Sequence, residues 1–161
     1  MAKEIERKFL VRDESFKLFS TGVLYRQGYL NRDKERTVRI RVAGDQAYIT
    51  MKGVTNGFER LEFEYAISMD DANEMLEKLC IKPLIEKFRY HLMTEGHLWE
   101  VDEFIGDNKG LIVAEVELKS SEETVVLPQW VGREVTGDLR YYNSNLVINP
   151  FKEWREIFAI D

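Results

Sequence analysis

Short runs rich in Val, Ile, Phe and Tyr recur along most of this chain, alternating residue by residue with charged positions and separated by Gly, Asn and Asp. A period of two marks a half-buried strand, and turn residues between such runs mark short connections. The pattern predicts strands over 3–12, 23–31, 36–43, 46–53, 59–68, 85–94, 97–105 and 111–119. Ala43-Gly44-Asp45, Asn56-Gly57, Glu95-Gly96 and the stretch from Gly106 to Gly110 read as turns, so successive strands should pair antiparallel. One helix interrupts them: Ala72, Met75, Leu76 and Leu79 recur at helical spacing, with Asp70 or Asp71 as cap and Pro83 beyond the end. A second helix is predicted near 140–149, after Gly137-Asp138, and the amphipathic tail 151–158 reads as a third. The fold class is mainly β (α+β). Eight antiparallel strands in so short a chain suggest a closed or nearly closed barrel with a few covering helices, because closure removes exposed edges.

Side chains two apart on a strand share a face and stand roughly 7 Å from each other. Applied strand by strand, this parity gathers the charges. Glu4, Glu6 and Lys8 share one face of the first strand, and Ile5, Phe9 and Val11 the other. The same holds for Arg39 and Arg41, for Thr50 and Lys52, for Glu62 and Glu64, for Lys87 and Arg89, for Glu100 and Asp102, and for Glu115, Glu117 and Lys119. A solvated sheet face would account for any one of these strands. It does not account for the set: Ser, Thr, Asn and Gln are nearly absent from the charged positions, Arg is abundant, and carboxylates stand in repelling pairs. The charged faces therefore read as the lining of a cavity. Buried charge needs partners. Clustered Lys and Arg suit a polyanion, and clustered carboxylates without His or Cys suit a hard divalent ion such as Mg²⁺ or Mn²⁺. A metal-bound chain of phosphates satisfies both.

Composition narrows the class. The chain has 161 residues, 44% apolar and 12% aromatic, which excludes a disordered segment. Its 23 Lys and Arg stand against 29 Asp and Glu, a net charge of −6 that gives no reason to expect nucleic acid. No apolar run approaches the ~20 residues needed to cross a bilayer, so no membrane association is expected. The start MAKEIERKFL does not read as a secretory signal. The lone Cys80 excludes an internal disulfide framework and a Cys-rich zinc site, so a cytoplasmic protein is expected. His91 and His97 have no carboxylate-paired spacing and read as surface or structural residues.

The ordered set Glu4-x-Glu6-x-Lys8, Arg39-x-Arg41, Lys52, Glu62-x-Glu64, Lys87-x-Arg89 and Glu115-x-Glu117 resembles the CYTH superfamily of triphosphate tunnel metalloenzymes, over about residues 2 to 149. The segment 132–138 is similar to that family's terminal strand, and 140–146 to its tunnel-plugging helix. The resemblance implies an eight-stranded tunnel with an inward charged face, one domain over 1–150, and a tail 151–161 with no counterpart. Family members hydrolyse inorganic triphosphate, nucleoside triphosphates or thiamine triphosphate, and some cyclise ATP. The chain lacks the His-Phe lead-in associated with the cyclase branch and is similar to the small bacterial triphosphatases. The expected activity is thus metal-dependent hydrolysis of the terminal phosphate of inorganic triphosphate. The alternatives are an adenylate cyclase, a nucleoside or thiamine triphosphatase, and a polyphosphate-binding module without turnover.

Within that reading, Lys8, Arg39, Arg41, Lys52, Lys87 and Arg89 are assigned to phosphate oxygens. Arg133 has two readings, a further phosphate contact or a structural ion pair. Glu4, Glu6, Glu62, Glu64, Glu115 and Glu117 form the metal pool, and Asp102 joins it by orienting a water or pairs with a cation. Mg²⁺ takes only one or two direct carboxylates and keeps waters, so not all need touch one ion. Tyr29 shares parity with Gln27 and is expected to point inward, where Lys87 beside it would acidify the phenol and make the pair a proton-handling unit; the plain alternative is a packed strand tyrosine. Trp99, Phe63, Phe88 and Tyr90 fall on the outward apolar face, and a homodimer is expected if helices leave part of that face bare.

Overall fold

The computed structural model describes residues 3–155. Its strands are β1 (Lys3–Val11), β2 (Val23–Tyr29), β3 (Thr37–Ala43), β4 (Gln46–Lys52), β5 (Glu59–Ile67), β6 (Ile85–Thr94), β7 (His97–Phe104), β8 (Ile112–Glu117) and β9 (Val131–Glu134). The sheet runs β5-β4-β3-β2-β6-β7-β8-β1, every pairing is antiparallel, and β1 returns to β5, so eight strands close into the expected barrel. β1 achieves closure by changing partners along one edge. Lys3–Ile5 pair with β5 there, and Phe9 and Val11 pair with β9, while the opposite edge pairs with β8. β9 is therefore a ninth strand laid beside β1 and outside the closed ring. The residue periodicity had not marked it; the family resemblance had.

Alternation then sorts the side chains. On the outer face of β3 and β4, Ile40, Val42 and Ala47 are buried against Ala72, Leu76 and Cys80 of α1 (Met69–Lys78) and the turn after it. The cap of α1 is Ser68, not Asp70 or Asp71: the Ser68 side chain accepts a hydrogen bond from Asp71 N at 3.1 Å. The two aspartates occupy the first turn instead, where negative charge suits the helix dipole. Gly28 allows this layer to sit close, since a Cβ there would come within 2.8 Å of Cys80 Cβ and Leu84 Cδ2. On the outer face of β1, β7 and β8, Phe9, Trp99, Val101 and Val116 are covered by Phe16, from a 3-10 turn at Ser15–Leu18, and by Trp130. Phe16 and Trp99 both meet the Trp130 ring at 5.7 Å, edge to face. Leu61, Phe63 and Tyr65 on the outer face of β5 stay exposed.

A third cluster fills one end of the barrel. Leu10, Tyr29, Ile85, Phe104 and Val113 from the strands meet Tyr141, Leu146 and Val147 from the chain after β9. The helix expected over 140–149 is in two pieces, a 3-10 turn at Leu139–Tyr141 and α2 (Asn143–Ile148), because Tyr142 between them is extended at φ −73°, ψ 134°. Phe151 and Trp154, in the segment set apart as a tail, also pack into this floor, and Phe151 begins a 3-10 turn ending at Glu153. Residues 156–161, which carry the rest of the expected tail helix, lie outside the described residues. No helix among the described residues is long and apolar enough to cross a membrane.

Candidate active site

Barrel order decides where the charges meet. The inward residues of β5, β1, β8 and β7 supply Glu62, Glu64, Glu4, Glu6, Glu115, Glu117 and Glu100; those of β4, β3 and β6 supply Lys52, Arg39, Arg41 and Arg89. Because β5–β1–β8–β7 and β4–β3–β2–β6 are the two halves of the ring, an acidic wall faces a basic one across a cavity of about 350 Å³. Lys8 and Arg60 are the cations on the acidic half. Tyr142, Asn143 and Ser144, at the start of α2, line the cavity at its filled end.

The basic wall is short of partners. Arg39 donates to Thr50 Oγ1 at 3.2 Å, and its buried Nε has no hydrogen-bond partner. Arg41 Nε donates to Gln27 Oε1 at 3.0 Å. Burial, with Arg39 and Arg89 nearby, pulls the Arg41 guanidinium down to about 9. Tyr25 stands between Arg41 and Arg89, whose guanidinium carbons lie 5.1 and 4.8 Å from its ring centre. A guanidinium with an orphaned buried N–H, beside others that repel it, is a site waiting for an anion.

The acidic wall is equally unsatisfied. Lys52 Nζ sits 3.3 Å from both Glu4 and Glu62, and Lys8 Nζ 3.9 Å from Glu115. Glu6 has no such cation. Burial first, then Glu115 and Glu4, raise its carboxyl well above the usual range, and its one proton serves either neighbour, lowering the carboxyl of the one that accepts it. Against the upward pull of burial, Lys8 and the Glu6 hydrogen bond bring Glu115 down to about 2. Burial, with Glu4 and Glu100, also raises Glu117. A proton thus holds this wall together, which fits a cation site: an ion would take the proton's place. Among the described residues no three Asp, Glu, His or Cys side chains already enclose an ion, so water and ligand oxygens would complete its shell, as suits a hard divalent ion. An ion that took the place of a proton on Glu6 would bind more tightly as pH rises, until Glu6 is ionised in the free protein. The stabilisation given by fixed Mg²⁺ or Mn²⁺ should therefore grow as pH climbs above the ordinary carboxylate range, with protons released on binding. PH-independent binding without proton release would count against Glu6 as a ligand.

Three expected site residues do not line this cavity. Asp102 is 1% exposed and lies beneath it, accepting from Arg89 Nε at 2.7 Å, Arg89 Nη2 at 2.8 Å and Lys87 Nζ at 2.7 Å. Despite burial, Arg89 and Lys87 hold its carboxyl far below the usual range. Of its two expected roles, the structure supports cation pairing. Lys87 is fully buried; burial, with Arg89 and Arg41 nearby, brings its ammonium down to about 7 even against Asp102. Arg133 is exposed on β9, outside the ring, near Asp138 and Tyr141. That placement is a correction to a phosphate contact, since β9 does not contribute to the barrel interior.

Tyr29 does line the cavity, but none of the hydrogen bonds among the described residues joins it to Lys87: its hydroxyl is 3.5 Å from Gln27 Nε2, and Gln27 and Lys87 both bond Asn143. Neither histidine lines the cavity; His91 pairs with Glu100 at 3.2 Å and His97 with Glu123 at 2.6 Å. Sequence reasoning passed over Arg60 and Tyr25, and it set Glu100 on a charged face without giving it a role. Each shares strand parity with residues that were chosen, Glu62, Tyr29 and Asp102 respectively, and that parity was the available signal.

The CYTH domain matches residues 2–147. The chain belongs to the CYTH family. Its relatives include a protein named inorganic triphosphatase from Acetivibrio thermocellus, 54% identical over 156 residues that cover 97% of this chain and all of that protein. Another of that name, from Nitrosomonas europaea, is 36% identical over 154 residues, 91% of this chain and 97% of that protein. A solved crystal structure of an inorganic triphosphatase superposes with a TM-score of 0.63 at 35% identity, covering 92% of this chain and 96% of the other. The closed barrel is thus the CYTH tunnel fold, and CYTH triphosphatases depend on a metal ion.

Proposed function

We propose that this CYTH protein hydrolyses inorganic triphosphate to diphosphate and orthophosphate with Mg²⁺ or Mn²⁺, in the cytoplasm. The observation that carries the reading is the cavity with opposed acidic and basic walls, closed at one end by α2. A chain of phosphates lies along the basic wall, where Arg39, Arg41, Lys52 and Arg89 take its oxygens, with Lys8 reaching them from the acidic side. Glu4, Glu6, Glu115 and Glu117, with Glu62 and Glu64 across the β1–β5 seam, would hold the ion against its other side. When bound, the ion withdraws charge from the terminal phosphoryl group. The protein's own contribution is positioning and fixed charge, the effects that dominate phosphoryl transfer. Tyr25 fixes the planes of Arg41 and Arg89, and Asp102 fixes Arg89 from below. Tyr29 Oη, at the closed end, is placed to orient the attacking water. Lys87 Nζ, with its affinity for a proton brought near neutrality, can take up and release one without leaving its hydrogen bonds to Asp102 and Asn143. The names of the two relatives support this substrate over the others the family accepts. The exposed outer face of β5 supports a homodimer.

Orthophosphate release from inorganic triphosphate, ATP, GTP and thiamine triphosphate, each with Mg²⁺ or Mn²⁺, tests the reading. Inorganic triphosphate should turn over fastest. Diphosphate with cyclic nucleotide from ATP would assign a cyclase, and a ligand-dependent rise in melting temperature with no product would assign a binding module.

A further inference from the structure

The start of α2 closes the cavity, and the way its first residue is held suggests more than closure. Asn143 Oδ1 accepts two hydrogen bonds, from Lys87 Nζ at 2.9 Å and from Gln27 Nε2 at 3.3 Å. Gln27 is itself fully buried, with its Oε1 taken by Arg41 Nε. These contacts fix which way the Asn143 amide faces. An arginine only donates, so Gln27 must turn its Oε1 to Arg41 and its Nε2 to Asn143, and the Asn143 oxygen must be the atom that receives Gln27 Nε2 and Lys87 Nζ. The nitrogen is then turned away from Lys87. Asn143 lines the cavity, and none of the hydrogen bonds among the described residues uses its Nδ2.

We propose that Asn143 is a substrate-contacting residue, its Nδ2 donating to an oxygen of the bound triphosphate while its Oδ1 holds Lys87 in place. The inference rests on the triphosphatase reading and deepens it: the plug helix is part of the machinery that grips the substrate. A neutral donor suits this position. The nearby cations Arg39, Arg41 and Arg89 already repel one another, and a further positive charge would raise that cost, whereas an amide adds a hydrogen bond without adding charge. The donor is also oriented before the substrate arrives, so little reorganisation accompanies binding.

The full chain carrying Asn143→Ala, Asn143→Asp or Asn145→Ala tests this. KM and kcat for inorganic triphosphate are measured with saturating Mg²⁺, and the rise in melting temperature given by triphosphate is measured in EDTA, where turnover is absent. Asn143→Ala should raise KM about 10- to 100-fold, the scale of one hydrogen bond to a charged group. Asn143→Asp should be at least as damaging, although its carboxylate would hold Lys87 more firmly, because it turns an acceptor toward the phosphate. Both should lose most of the triphosphate-induced rise in melting temperature. Asn145→Ala removes the bond from Asn145 Nδ2 to Leu139 O at 2.6 Å, so it should loosen the plug and lower the melting temperature while leaving KM within about twofold. Wild-type KM and ligand response in Asn143→Ala would overturn the proposal. So would wild-type binding in Asn143→Asp, which would reduce Asn143 to an acceptor for Lys87. Should Asn143→Ala not fold, Asn143→Asp, which keeps the shape and the Lys87 bond, decides. Failure of the wild type to turn over triphosphate would instead sink the triphosphatase reading, and the measurement in EDTA would still report the contact.

Discussion

Asp102→Ala should cost about 3–5 kcal/mol of stability, a fall in melting temperature of roughly 6–20 °C for a domain of this size. The reason is what it leaves behind. Arg89 is 6% exposed and Lys87 fully buried, and Asp102 receives three hydrogen bonds from the two of them. Without it, Lys87 keeps only the neutral Asn143 oxygen, and Arg89 keeps Glu100 at 3.2 Å. Lys87, already brought down to about 7 with Asp102 beside it, would shed its proton, and the buried Arg89 would be left with one partial counterion. The same reasoning predicts a rescue. Arg89 reaches the cavity, so an anion bound there supplies some of the lost negative charge. Millimolar triphosphate in EDTA should therefore raise the melting temperature of Asp102→Ala by more than it raises that of the wild type. A variant that melts with the wild type would show that Asp102 does not organise these cations. One that melts low without rescue would show that the loss is of packing rather than of charge.

Asp102 also marks the limit of what the sequence discloses. Period-two alternation reveals the face on which a side chain lies, and on that ground Glu4, Glu6, Arg39, Arg41, Glu62, Glu64, Glu115 and Glu117 could be placed together before any fold was known. It does not reveal depth along the barrel. Arg89 and Lys87 share a face, as do Glu100 and Asp102, yet Arg89 and Glu100 line the cavity and the other two lie beneath it. Depth follows from strand tilt and stagger, which set Arg89 opposite Asp102 and Lys87 opposite Phe104. Parity also cannot say whether a strand belongs to the closed ring. Arg133 was misplaced for that reason, since β9 pairs only with the outer part of β1. Arg60 was overlooked because it is a lone cation in an acidic strand, and the strands had been read by sign. Asn143 carries no periodic signal, because it follows a helix break at Tyr142 and reaches Lys87 across 56 positions of chain.

Glu6→Gln should separate stability from activity. Burial, Glu115 and Glu4 favour the protonated form of Glu6, whose one proton is donated to Glu4 or to Glu115. Glutamine has the shape of that protonated acid and can donate in its place. The sign for stability follows from linkage. A carboxyl whose folded-state affinity for a proton is raised makes the folded protein progressively less stable as pH climbs above its unfolded value of about 4.3, until the folded carboxyl itself ionises. The amide has no proton to lose, so Glu6→Gln should melt at or above the wild-type temperature near neutral pH in EDTA. With Mg²⁺ or Mn²⁺ the order reverses: the wild type gains stability from the ion, and the variant, with a neutral oxygen where a carboxylate would form, gains little. Turnover of triphosphate should fall at least about 100-fold, as expected when a carboxylate that holds the ion is neutralised. A variant that melts well below the wild type in EDTA would mean that Glu6 is ionised and structural. One that retains metal stabilisation and turnover would move the ion to the seam where Glu4 and Glu62 share Lys52, and would make Lys52, rather than a proton, the group that the ion displaces.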